Sequence, residues 1–130
     1  MQNVKRTVIE ALKTLITDPL HVESKIAVFF AADYQQRVDG KQLDYSGFIR
    51  HMEALKLYTK RMSISIKSIV AENDTVFTHH YVNVEKKQGE KSEFEVFARF
   101  TLLSGKIIRC EELTRMINGL PGDSDLGSRR

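Results

Sequence analysis

A chain of 130 residues has room for one hydrophobic core and not for two. Its 42% hydrophobic and 28% charged content is ordinary for a soluble globular protein. The net charge of +3 arises from interleaved acidic and basic residues, so no dense basic stripe points to a nucleic-acid partner. The two densest candidates, 56–61 (KLYTKR) and Arg129–Arg130, read as a solvated face and a tail. A single cysteine, Cys110, excludes an internal disulfide and suits a reducing compartment. The opening stretch MQNVKRTVIEALKTLITDP lacks a continuous apolar block, so neither a signal peptide nor a membrane partner is expected and the cytoplasm is the default location.

Val4, Val8, Leu12, Leu15 and Ile16 follow the spacing of one helical face. Asp18 as cap and Pro19 at the first helical position predict a second helix from Leu20 to about Ala31, buried through Ile26, Phe29 and Phe30. Tyr34 to Val38 then reads as a short extended piece ending at an Asp39-Gly40 turn. Asp44 or Ser46 caps a third helix with Phe48, Ile49, Met52 and Leu55 as its apolar face, which leaves Arg50 and His51 on the exposed side. After Lys60 the period becomes two. Met62, Ile64 and Ile66 alternate with polar residues until a bulge-like break before Ile69-Val70. Val76, Thr78, His80, Val82 and Val84 form the apolar series of the next strand, and Phe94, Val96, Ala98, Phe100 and Leu102 that of a third. The turns at 72–74, 86–91 and Ser104-Gly105 are short, so the four long strands should be antiparallel neighbours in an α+β fold.

The last segment, GKIIRCEELTRMI, sets Glu111 beside Glu112. As a strand it would put Glu111 on the face of Arg109 and Arg115, where surface ion pairs suit it. Glu112 would share its face with Ile108, Cys110, Thr114 and Met116 and no cation. A carboxylate buried there has a raised pKa and suits proton transfer near neutrality; placed at the rim, it would simply reach water. A helix over EELTRMING, capped by Asn118-Gly119, is also consistent with these residues.

His79 and His80 diverge to opposite strand faces, and only His80 shares the apolar one. Facing the same hollow, His80 and Glu112 would make an acid–base pair; alone, His80 is a hydrogen-bonded core residue. Tyr34 and Gln36 point the same way from an extended stretch and could orient a ligand's polar atoms at a pocket mouth. Ala98, Phe100, Cys110 and Thr114 would supply the adjacent wall. His80, Cys110 and Glu112 lack any metal-ligand spacing, and no nucleotide or nucleophile motif is present, so neither metal nor cofactor is expected.

An apolar helix running into DYQQRVDG, then a helix, then hairpins ending in FTLLSGKIIRCEELTRMI, resembles the SnoaL-like branch of the nuclear transport factor 2-like superfamily over residues 4–117. The most specific element is a strand, a turn with Gly105-Lys106-Ile107, and an acidic residue seven positions after that glycine, Glu112. The tail DSDLGSRR is similar to the endings of some uncharacterised members. The resemblance implies a conical α+β barrel over 1–117 with a Gly-rich tail at 118–130. It implies a strand at 106–117, an internal pocket, and a homodimer through the outer sheet face. In SnoaL-like polyketide cyclases an acidic residue on the last strand is the general acid/base of an aldol-type ring closure, a role that maps to Glu112. Three positions depart from the pattern. Cys110 stands where cyclases often have histidine, Ala98 where many members have aspartate, and Glu112 is one methylene longer than aspartate. The Asp-Arg-Asp set of limonene epoxide hydrolase-like members is not found.

Three functions follow as expectations. The first is a small proton-transfer enzyme (cyclase or isomerase type) on an apolar carbonyl-bearing or cyclic molecule, with Glu112 and His80 as catalytic residues. The second is a non-catalytic ligand-binding or dimerisation module whose hollow is filled by Phe94, Phe97, Phe100 and Met116. The third is an adaptor docking through its basic tail.

Overall fold

The computed structural model describes residues 3–123. Helix α1 spans Val4–Thr17, with the Asn3 side chain accepting a hydrogen bond from the Arg6 backbone N–H at 3.1 Å. Its stripe of Val8, Ala11, Leu12 and Leu15 is buried, as the spacing requires. The second helix is shorter than expected: α2 covers only Glu23–Phe29. Asp18 does not cap it. Its carboxylate accepts from the Leu20 N–H at 3.0 Å and from Lys25 at 3.1 Å, so Asp18 and Pro19 close α1 in a turn. Phe30 is already extended, because Phe30–Val38 is a strand, β1.

The Asp39-Gly40 turn leads into β2, Lys41–Asp44, and Asp44 caps α3, Tyr45–Tyr58, by accepting from the Gly47 N–H at 2.8 Å. Four long strands follow: β3 Thr59–Glu72, β4 Thr75–Lys86, β5 Lys91–Leu103 and β6 Lys106–Asn118. A short 3-10 turn, Pro121–Asp123, ends the described chain, and the rest of the tail, Arg129–Arg130 included, lies outside the described residues. The sheet order is β2-β1-β6-β5-β4-β3. It therefore has six strands, not four, and it is not wholly antiparallel: β1 runs parallel to β6, with Gln36 opposite Cys110 and Val38 opposite Glu112. A hairpin cannot make that pair. The long crossover between the two strands, which includes α3 and the whole meander, makes it.

Two register shifts shape the sheet. One lies between Ile66 and Ser68, where the break in alternation had suggested a bulge. The other opposes Thr101 to Arg109 but Leu102 to Ile107, leaving Ile108 as the extra residue. Ile107, not Ile108, is consequently the buried member of the pair. The inner face of this curved sheet and the three helices bury one core, in which the rings of Phe30, Tyr34 and Phe48 lie 4.8 to 5.0 Å apart. The fold is a conical α+β barrel. Among the described residues no helix is long and apolar enough to cross a membrane.

Candidate functional site

Between the sheet's inner face and the helices lies a cavity of about 110 Å³. Its walls include Tyr34, Gln36, His80, Phe100, Cys110, Glu112 and Thr114 of the residues singled out from sequence; Ala98 is buried beneath the same face but does not reach the wall. The strand alternative for 106–118 therefore holds, and it puts Glu112 inside and Glu111 outside.

The sheet register gathers the polar wall. Cys110 stands opposite both Phe100 and Gln36, and Glu112 opposite both Ala98 and Val38. Tyr34, two residues before Gln36 on the same face of β1, donates its hydroxyl to Gln36 Oε1 at 2.9 Å. The Cys110 thiol donates to Glu112 Oε1 at 3.4 Å. Asp39, held at a positive φ of 52° in the β1–β2 turn, accepts from the Thr114 backbone N–H at 2.8 Å and from the Thr114 hydroxyl. Its own N–H donates to the Glu112 carbonyl at 3.0 Å. The turn is thus pinned to β6 on either side of Glu112, which fixes the backbone from which that carboxyl enters the cavity.

Burial dominates the electrostatics. Removal from water raises the Glu112 pKa to about 7; the Cys110 thiol bond opposes the shift and the nearby Asp39 carboxylate adds to it. The same desolvation pushes the Tyr34 hydroxyl and the Cys110 thiol well above their ordinary values. His80 moves the other way, to about 4, because burial and the neighbouring His79 disfavour its cation. Its Nδ1 lies 3.0 Å from Thr78 Oγ1. Burial thus favours the neutral form of both the His80 imidazole and the Glu112 carboxyl. The two share the cavity without touching: β5 lies between their strands, and His80 is opposite Val96 whereas Glu112 is opposite Ala98. About 10 Å separates strands two apart.

One cavity residue was misplaced from sequence. His51 is 6% exposed and lines the wall from α3. Spacing held the signal. His51 falls three residues after Phe48 and four before Leu55, so all three share one stripe. Among the described residues, no three His, Cys, Asp or Glu side chains are grouped as a metal would need.

The outer face is a different chemical surface. Glu111 is bonded by Arg37 at 2.7 Å and Arg99 at 2.5 Å, with Arg109 at 3.5 Å, and its carboxyl is held below the usual range, the Arg99 bond contributing most. Arg115, expected beside Glu111, instead bonds Glu95 at 2.9 Å, because those two residues are cross-strand partners. Glu95 also meets His79 at 2.8 Å and the Tyr81 hydroxyl at 3.0 Å, which together with Arg115 bring it down to about 2. Phe97 does not fill the hollow. It is 53% exposed on this face and stacks on His79, centroids 4.3 Å apart. Val70, Phe77 and Leu113 are exposed beside it.

No protein-family model matches the chain. Uncharacterized protein C11D3.04c of Schizosaccharomyces pombe is 34% identical over 100 residues, 77% of each chain. Among solved structures, AclR of Streptomyces galilaeus, named as a hydroxylase, aligns over 98% of this chain and 86% of its own at a TM-score of 0.74 and 16% identity. A protein of a Jannaschia species named for a SnoaL-like polyketide cyclase aligns over 88% and 89% at 0.66 and 12%. The chain belongs to one family with the Schizosaccharomyces pombe protein, and it has the fold of the SnoaL-like and nuclear transport factor 2-like structures. At these identities the solved structures share its fold alone; what they act on is theirs.

Proposed function

We propose that this SnoaL-like protein binds a small uncharged molecule in its internal cavity and transfers a proton on it, with Glu112 as the proton carrier. The observation that supports this reading is a carboxyl without a cationic partner in the wall of an apolar cavity, where burial raises its pKa to about 7. Such a group is present in both forms at neutral pH, as general acid–base catalysis favours. As carboxylate it would take a proton from carbon next to a carbonyl and return it to the same or a neighbouring carbon. Tyr34 and Gln36 at the floor, and His80 with its ring kept neutral, would orient the ligand's polar atoms. The reading is tested by incubating the protein with small cyclic ketones in D2O and following deuterium uptake at the α-carbon by mass spectrometry. The expected outcome is exchange that falls at least about 100-fold in Glu112→Gln. Equal exchange in the variant and the wild type would refute it.

A specific observation also favours self-association. The outer face carries exposed Phe97 and Leu113 between an arginine-rich cluster around Glu111 and an acid-rich one at Glu93 and Glu95, with exposed Val70 and Phe77 in the cross-strand row of Arg99. A two-fold contact between copies would place each cluster against its opposite. Sedimentation equilibrium of wild type and Phe97→Glu is the test, with a dimer expected only for the former.

A further inference from the structure

Thr78 and His80 stand two residues apart on the inner face of β4, 4% and 3% exposed. The Thr78 hydroxyl lies 3.0 Å from His80 Nδ1, its one hydrogen-bond partner among the described residues. The cross-strand neighbours of the pair are apolar: Ile69 and Ala98 opposite Thr78, Ile66 and Val96 opposite His80. The irregularity of β3 between Ile66 and Ser68 falls at the same level, and a bulge re-aims the side chains around it. His80 lines the cavity. With Nδ1 engaged along the strand, Nε2 is the nitrogen left for the cavity, hydrogen-bonded to no described residue. Burial and the neighbouring His79 bring the ring's pKa down to about 4, so near neutral pH one nitrogen carries a hydrogen and the other a lone pair.

The hydroxyl decides which is which. A hydrogen on Nδ1 would be donated to Oγ1, and the buried Thr78 O–H would be left with no acceptor. With the hydrogen on Nε2, the O–H donates to Nδ1 and both groups are satisfied. We propose that Thr78 holds the His80 ring with its hydrogen on Nε2, so that β4 presents a donor to the cavity and the site takes a small uncharged molecule with an acceptor oxygen at that end. Thr78 is then a positioning residue that acts through His80. The ring's lone pair is engaged by Thr78, which leaves proton transfer to Glu112. No Lys or Arg lines the cavity, so an anionic ligand would face Glu112 with no counter-charge. The volume of about 110 Å³ is below the roughly 150 Å³ of an apolar cavity that takes up benzene, and suits one small ring. The ligand class rests on the proposed function; the tautomer and the part of Thr78 in it do not require turnover.

The test uses the whole chain with cyclopentanone as probe. Nitrogen NMR of the wild-type histidine rings should show His80 protonated at Nε2 and bare at Nδ1. Cyclopentanone should move the His80 Nε2–H proton downfield while the ring of His79, on the outer face, stays put. Pyrrole, a ring of the same size with a donor and no acceptor, should not move it downfield. Thr78→Val keeps the shape and removes the hydroxyl. It should shift Nδ1 to the position of an unbonded bare nitrogen, which a packing role alone would not do, and weaken cyclopentanone binding about fivefold, the size of one net hydrogen bond. Thr78→Ser should restore both. The proposal is overturned if wild-type His80 carries its hydrogen on Nδ1, if cyclopentanone does not bind or leaves Nε2–H unmoved, or if pyrrole moves it as cyclopentanone does. It is equally overturned if Thr78→Val leaves the Nδ1 signal or the affinity unchanged. Should that variant not fold, the wild-type tautomer and retention of the Nδ1 signal in Thr78→Ser decide. Binding through His80 Nε2–H without α-exchange would sink the proton-transfer reading and leave this inference standing. Exchange with His80 protonated at Nδ1 would do the reverse.

Discussion

Glu111 and Glu112 are neighbours in sequence and opposites in environment. Glu111 looks outward into three arginines and its carboxyl is held below the usual range; Glu112 looks inward into a cavity with no cation and is raised to about 7. The peptide alternation of a strand is enough to separate them, since successive side chains leave opposite faces. The comparison teaches that residue type does not assign chemistry here. The outer carboxylate is stabilised as an anion and serves the sheet, whereas the inner one is costly as an anion and can exchange its proton.

The most severe way to break this contrast is to remove the inner carboxyl. Glu112→Gln is expected to abolish α-proton exchange, a loss of about 100-fold or more, while increasing stability at pH 8. The sign follows from the folded pKa lying above the unfolded one. Stability is highest below the unfolded value near 4.5, is lost as pH rises, and the loss is complete above about 7. The full penalty is on the order of 3 kcal/mol. Chemical denaturation at pH 5 and pH 8 should show that decline in wild type and not in Glu112→Gln. A variant that loses stability at pH 8 would show that the anion is paired after all.

Removing the outer carboxylate should do less. Glu111→Gln leaves Arg37, Arg99 and Arg109 without their shared partner, and pairs this exposed are worth about 1 kcal/mol or less. Its expected signature is a small fall in denaturation midpoint at low salt that shrinks in 1 M salt, with α-exchange untouched. A change in exchange would mean that the two faces are coupled. His80 sharpens the inner side at acid pH. Its folded pKa lies below the unfolded one, so the penalty for protonating it grows as pH falls from about 6.5 to about 4. His80→Phe should flatten that part of the stability profile if Thr78 tolerates the loss of its 3.0 Å partner; an unchanged acid limb would show that His80 is protonated in the fold. The smallest effect on the cavity is expected at Gly119, whose φ of 143° and close approach to Ser92, where an added Cβ would lie 2.7 Å from Oγ, leave no room for a side chain. Gly119→Ala should lower the melting temperature by a few degrees, as measured by calorimetry, and leave the cavity's chemistry alone.

The period-two segments were readable because one face of each strand is buried. Phe94, Val96, Phe100 and Leu102 point inward as their alternation requires. The register break near Ser68 was readable for the same reason. The start of β1 was not, since the run FFAA suits a helix by local preference and becomes a strand only through pairing with β6. The bulge at Ile108 swaps which isoleucine is buried, and nothing local marks it, because both residues are the same. Glu112 could be separated from Glu111 by the company of each on its own face. His51 was missed for a narrower reason: its partner in polarity, Arg50, drew it to the exposed side, although its spacing from Phe48 and Leu55 matches the buried stripe. A polar residue on a buried stripe was the signal, and it pointed to a cavity.

Carboxyl titration by carbon NMR on protein labelled at its glutamates puts both neighbours on one pH axis. The expected result is a Glu112 midpoint of about 7, with Glu111 below the ordinary glutamate value of 4.5. A Glu112 midpoint at the ordinary value would mean that the inner carboxyl is as well hydrated as the outer one, and the case for proton transfer in this cavity would end there.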